Sequence, residues 1–104
     1  MYGITYSRSV IQIRRTKEFD AWLDALRDLT AQAKILQRLQ QAEKGNLGDH
    51  KRFSGLLELR ISYGPGYRIY CVQKGAILII VLGGGTKASQ DWDIKRALKR
   101  IKDF

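Results

Sequence analysis

Residues 57–82 read LELRISYGPGYRIYCVQKGAILIIVL, and the alternation within this stretch decides the fold. Leu57, Leu59 and Ile61 alternate with Glu58 and Arg60, which marks a strand apolar on one face and charged on the other. Ser62 to Gly66, holding the chain's one proline, turns the chain. Tyr67 to Gln73 reads as a second strand, Lys74-Gly75 as a two-residue hairpin turn, and Ala76 to Leu82 as a wholly apolar central strand. Gly83, Gly84 and Gly85 are expected to break that strand.

The flanks supply the helices. Residues 8–14 alternate weakly (Val10 against Ile11 and Ile13) and are expected to form a first, edge strand. Thr16 offers an N-cap oxygen, Glu18 and Asp20 follow in the first turn, and Phe19, Trp22, Leu23 and Leu26 make one helical stripe. Thr30 is placed to cap a second helix carrying Ile35, Leu36 and Leu39, which Gly45 stops. The short link makes the two helices a hairpin. Ser89 is placed to cap a last helix with the stripe Ile94, Ala97, Leu98 and Ile101. The expected class is α+β: an antiparallel β-meander with an N-terminal strand, a helical hairpin and a C-terminal helix, all helices packed on one face. Residues 1–104 are expected to form one domain.

Charge narrows the partners. Residues 1–50 carry eight basic and six acidic side chains, whereas residues 51–104 carry eleven and four, within a formal net charge of +9. A basic second half suits a polyanion, above all a nucleic acid. The single cysteine, Cys71, rules out an intramolecular disulfide and fits a reducing compartment. Met1 to Arg8 lacks the pattern of a signal peptide, and the apolar run Ala76–Leu82 is too short to cross a bilayer. A cytoplasmic protein with no membrane partner is expected.

If the 62–66 turn is symmetric, Ile61 faces Tyr67, Arg60 faces Arg68 and Glu58 faces Tyr70, all but the first pair lying away from Leu57 and Leu59. Opposed arginines repel, so a pair kept on that face suggests an anion between them. The turn Gly83–Ser89 is expected to offer backbone N–H groups, with Lys87 as a point charge. Trp92 is expected on the helix side opposite Ile94, beside Arg96 and Lys99, where an indole can stack on a base. One histidine and one cysteine provide no zinc set, and Asp91 and Asp93 diverge on a helix, so no metal or other cofactor is expected. Metal-free phosphodiester cleavage needs an internal nucleophile, which RNA has in its 2′-OH. Arg60, Arg68 and Lys87 suit stabilisation of the developing charge, and Glu58 and Tyr70 are candidates for moving protons. Lys51, Arg52, Arg96, Lys99 and Arg100, with Trp92, are candidates for gripping RNA or the ribosome.

Glu58-Leu59-Arg60-Ile61, Gly66-Tyr67-Arg68-Ile69-Tyr70, Gly84-Gly85-Thr86-Lys87, Ser89-Gln90 and Asp93-Ile94 together resemble the RelE/ParE toxin superfamily. Within it the chain is most similar to the phage-type addiction-module killer proteins akin to HigB. The resemblance implies a microbial ribonuclease-like fold and cleavage of mRNA in the ribosomal A site, against ribosomal RNA. It also implies inhibition by a cognate antitoxin, often a helix-turn-helix repressor. It places Arg68 at the transition-state arginine, Lys87 near a second phosphate-binding cation, and Trp92 where relatives carry a catalytic tyrosine. An indole cannot exchange a proton as a phenol does, so Trp92 could only stack. Glu58 stands where RelE itself has a lysine base, although killer-type sequences commonly have glutamate. ParE-like members inhibit gyrase by contact and cleave nothing, which makes a binding protein the competing class.

Overall fold

The computed structural model describes residues 10–104. The N-terminal reading of Met1–Arg8, and residues 8 and 9 of the first strand, lie outside the described residues. Strand β1 (Gln12–Arg15) is followed by helices α1 (Lys17–Ala25) and α2 (Leu29–Glu43), then strands β2 (His50–Phe53), β3 (Leu56–Ile61), β4 (Tyr67–Lys74) and β5 (Leu78–Thr86). A short 3-10 turn (Lys87–Ser89) leads into α3 (Gln90–Arg100). The sheet runs β1-β5-β4-β3-β2, with an antiparallel meander from β2 to β5 and β1 added parallel to β5. The expected α+β class holds.

Local chemistry explains the helix starts. Thr16 Oγ1 accepts the Phe19 amide at 3.2 Å and donates to the Val81 carbonyl at 2.8 Å, so one hydroxyl caps α1 and ties it to β5. Asp28, not Thr30, caps α2: its Oδ1 accepts the Ala31 amide at 3.1 Å. Its Oδ2 accepts from Tyr63 Oη at 2.9 Å, and the two bonds hold the Asp28 carboxyl below the usual range. Asp28 takes the place expected of Thr30, and its second oxygen also reaches the 62–66 turn. Gln32 Nε2 donates to the Leu26 carbonyl at the end of α1 and to the Leu23 carbonyl, which also accepts the Leu26 amide.

The helices cover both faces of the sheet, which corrects the one-sided packing expected above. Phe19, Leu23, Ala31, Ile35 and Leu39 pack on Leu57, Leu59, Ile61, Tyr67, Ile69, Cys71, Ile79 and Val81. On the other face Ala97, Ile94, Leu98 and Ile101 of the last helix and its continuation pack on Leu56, Tyr70, Val72, Ile80 and Leu82. The face that carries Glu58 and Tyr70 is therefore not open.

Three strand boundaries differ from expectation. Strand β2 is absent from the sequence reading because His50, Lys51 and Arg52 are all exposed and show no apolar alternation. It joins β3 through Ser54-Gly55, both at positive φ (51° and 81°), the geometry of a two-residue hairpin. The β4–β5 loop has three residues, Gly75 to Ile77, because Lys74 pairs with Leu78. Most consequentially, the glycines do not break β5. The register slips at Tyr70/Cys71, Leu82 becomes an extra residue, and Gly83, Gly84 and Gly85 pair with Tyr70, Ile69 and Arg68.

Candidate functional site

The expected pairing of β3 and β4 is observed: Glu58 faces Tyr70, Arg60 faces Arg68 and Ile61 faces Tyr67. Helix α3 buries two of these residues, Glu58 and Tyr70, completely. Both Glu58 oxygens are occupied. Oε1 accepts from Arg60 Nε at 3.1 Å and Oε2 from Gln90 Nε2 at 2.8 Å. A buried carboxylate held on both sides is an anchor, so the open proton acceptor expected at Glu58 is not what the fold presents.

Arg60 is held from several sides. Besides Glu58 it has Asp49 Oδ1 4.0 Å away, its amide donates to the Asp49 carbonyl at 2.9 Å, and its own carbonyl accepts from Arg38. Arg38, reaching from α2, also donates to the carbonyls of Leu47 and Asp49 at 2.6 and 3.1 Å. Desolvation lowers its pKa.

Arg68 and Tyr70 are different. Arg68 is half-buried, and its Nε has no hydrogen-bond partner among the described residues; nor does the Tyr70 hydroxyl. Burial first, then the Glu58 and Asp93 charges and the approach of the Glu58 carboxylate to the hydroxyl, raises the Tyr70 pKa, so the phenol keeps its proton. Two buried donors two residues apart on one strand face lack acceptors. Such groups are costly unless something arrives to accept from them.

The glycine segment is not the phosphate-cradling turn expected. Its glycines allow close approach instead: added Cβ atoms would lie 2.6 Å from Arg100 Nη1 at Gly83, 2.4 Å from the Trp22 ring at Gly84 and 1.8 Å from Asp93 Oδ2 at Gly85. Lys87 opens the 3-10 turn, its amide donating to the Gly66 carbonyl at 2.7 Å and its side chain exposed. Ser89 stands at the N-cap position of α3 without a side-chain capping bond; its hydroxyl donates to Asp93 Oδ2 at 2.5 Å.

Of the expected gripping residues, Trp92 is 59% exposed and the Arg96 guanidinium lies 5.4 Å from its ring centroid, as the helical spacing implied. Arg96 and Lys99 are exposed. Arg100 is not a free surface charge: its Nη1 donates at 2.8 Å to the Leu82 carbonyl that the bulge turns out of the ladder. Lys51 and Arg52 point to opposite faces, since Lys51 pairs with Glu58 and Arg52 with Leu57. Lys51 Nζ sits 5.7 Å from the Phe53 ring centroid, and Arg52 donates to Gln73 Oε1 at 2.9 Å.

Sequence reasoning left out Arg38 and Gln90 as site residues and took Asp93 only as one of two carboxylates that diverge on a helix. Gln90 and Asp93 share the first turn of α3, so the burial of that turn over β3 and β4 was the missing signal. Nothing in the sequence around Arg38 points to its role.

A cleft of about 110 Å³ opens where β5 runs past the end of β1, lined by Glu18, Trp22, Tyr70, Asp93, Arg96 and Arg100 over Gly83 and Gly84. Among the described residues no cluster of three or more His, Cys, Asp or Glu forms a metal-binding group. No helix among them is long and apolar enough to cross a membrane.

Fold and site together define a small, basic α+β protein whose sheet carries opposed arginines and unpartnered donors beneath its C-terminal helix. The chain belongs to the phage-derived protein Gp49-like family (DUF891), whose pattern matches residues 21–102. It is 48% identical, over 88 residues, to an uncharacterized protein of Haemophilus influenzae, covering 84% of this chain and 89% of that one. The matched span begins within α1 and takes in α2, the whole meander and α3.

Proposed function

We propose that this chain is the toxin of a toxin–antitoxin pair, of RelE/HigB type, that cuts mRNA on the ribosome by attack of the RNA's own 2′-OH. The observation that carries this reading is the Arg60–Arg68 pair opposed across β3 and β4, with the Arg68 Nε unpartnered among the described residues. A scissile phosphate supplies acceptor oxygens and the negative charge that opposed arginines require, and its charge grows in the transition state. In this reading the half-buried Arg68 guanidinium binds the phosphate, and the buried Tyr70 stands behind it on the same strand face. Arg60 adds charge from a position fixed by Glu58, and Lys87 adds more from the exposed turn. Trp92, with Arg96 against its ring, gives a stacking platform for a base. A cognate antitoxin protein that covers this basic face is the expected partner, and ribosomal RNA supplies the docking surface.

The test is induced expression followed by mapping of mRNA 5′ ends. Cleavage and growth arrest are expected with the native chain and are lost on Arg68→Ala, which removes no hydrogen bond from the fold. Products should end in 2′,3′-cyclic or 3′-phosphate and form in excess EDTA. Messages that stay intact while DNA supercoiling falls would overturn the nuclease reading in favour of a gyrase-binding protein.

A further inference from the structure

The nuclease reading leaves one task without a residue. The 2′-OH must lose its proton as it attacks, yet both oxygens of the buried Glu58 are bound, and Asp93 Oδ2 accepts from Ser89. Asp49, in the loop between α2 and β2, is free by comparison. It continues the β2–β3 register opposite Arg60, whose amide donates to the Asp49 carbonyl at 2.9 Å. Asp49, Arg60 and Arg68 therefore form one row across neighbouring strands. The Asp49 side chain is 62% exposed, and its Oδ1 stands 4.0 Å from Arg60 Nη1, beyond hydrogen-bond distance. Its backbone is nonetheless held. Arg38 Nη2 donates to the Asp49 carbonyl at 3.1 Å, and Gly48, at φ 62°, leaves room for that guanidinium where a Cβ would lie 2.9 Å from it.

We infer that Asp49 is the general base of the cleavage; the inference rests on the nuclease reading above. With a phosphate between Arg60 and Arg68, Asp49 lies one strand further out, its Cβ about 5 Å from that of Arg60. A carboxylate oxygen takes the proton of the 2′-OH, the 2′-oxygen bonds to phosphorus, and the bond from phosphorus to the 5′-oxygen breaks. In-line geometry sends the leaving oxygen to the opposite side, toward β5 and the exposed Lys87, where it takes a proton from water. Asp49 then loses its proton to solvent. A site built only to grip RNA has no use for a carboxylate at this place, because its charge repels the phosphate that the arginines attract. As an exposed ion pair it also adds little to stability. Proton transfer gives it a use.

The experiment is single-turnover cleavage of an mRNA on ribosomes by the full chain, with the maximal rate and the half-saturating concentration read separately. Asp49→Asn keeps the backbone bonds of the loop. It should lower the maximal rate by about 10²-fold or more, with half-saturation unchanged or lower and the urea midpoint unmoved. A message with sulfur in place of the scissile 5′-oxygen has a leaving group that needs no proton, so the deficit of Asp49→Asn should persist on it. Cleavage by Asp49→Asn at the native rate, a deficit confined to half-saturation, or one that the sulfur substrate erases overturns the general base and leaves the nuclease reading standing. A native chain that leaves ribosome-bound messages intact overturns the nuclease reading, and Asp49 as its base with it.

Discussion

Replacing Gly84 by alanine tests whether the glycines of β5 are there for close approach. A Cβ built on Gly84 lies 2.4, 2.5 and 2.7 Å from Cζ3, Cε3 and Cη2 of Trp22, whereas carbon atoms in contact sit about 3.5–4.0 Å apart. The indole has little room to retreat, being packed against Phe19 and Tyr67 with ring centroids 5.9 and 6.2 Å away. Overpacking of this kind costs roughly 1–3 kcal/mol. At about 2 kcal/mol, a domain of this size loses on the order of 8–16 °C in Tm. Urea denaturation should show a lower midpoint at unchanged slope. A double-mutant cycle with Trp22→Leu isolates the cause, since a smaller side chain leaves space for the added methyl. The two changes should couple by about 1 kcal/mol or more, in the favourable direction. Additivity within about 0.5 kcal/mol would refute steric conflict with Trp22 as the reason for glycine there.

Arg100→Met should destabilise the chain by about 1.5–3 kcal/mol, because a guanidinium bond to the Leu82 carbonyl is lost. Lys99→Met, at an exposed neighbouring position, should change stability by less than about 0.5 kcal/mol yet weaken RNA binding; equal stability losses by denaturation would contradict the division of labour. Burial pushes the Cys71 thiol up to about 12 from 9.0, so the folded chain disfavours the thiolate. The stability this contributes is whole below pH 9 and is lost progressively as pH rises toward 12. Denaturation at neutral pH and at about pH 11 should therefore show a larger alkaline loss for the native chain than for Cys71→Ala. A thiol reagent should modify Cys71 at neutral pH only as fast as the chain unfolds; rapid labelling of the native protein would contradict the burial.

The meander was legible because Leu57, Leu59 and Ile61 alternate without interruption, and a symmetric turn then fixes Arg60 against Arg68. The helix stripes were legible for the same reason, periodicity set by burial. What sequence could not show is what lies over the second face. Glu58 and Arg60 read as solvent-facing because they are charged, yet α3 closes over Glu58 and supplies Gln90 and Arg60 shares its other oxygen. A buried charge satisfied by partners distant in sequence leaves no periodic trace. The same holds for Arg38, whose donors reach three carbonyls from residues 47, 49 and 60. Strand β2 was missed for the opposite reason: an edge strand of exposed side chains gains its order from the ladder, not from burial.

The glycines misled the reading because in sequence they signal a break, whereas here they make a register shift inexpensive. An extra residue in a strand sends every later side chain to the other face, a heavy cost when those side chains are large and apolar. After Leu82 the next three residues have none to misplace. The strand can therefore bulge and continue, and the bulge turns the Leu82 carbonyl toward Arg100. It also lets Trp22 approach from the α1 side and Asp93 and Arg100 from the α3 side. With ordinary side chains on β5, both helices would be held off the strand at this point. The meeting of an indole, a carboxylate and a guanidinium at one strand edge, next to an unpartnered phenol, thus follows from three residues that contribute no side chain at all.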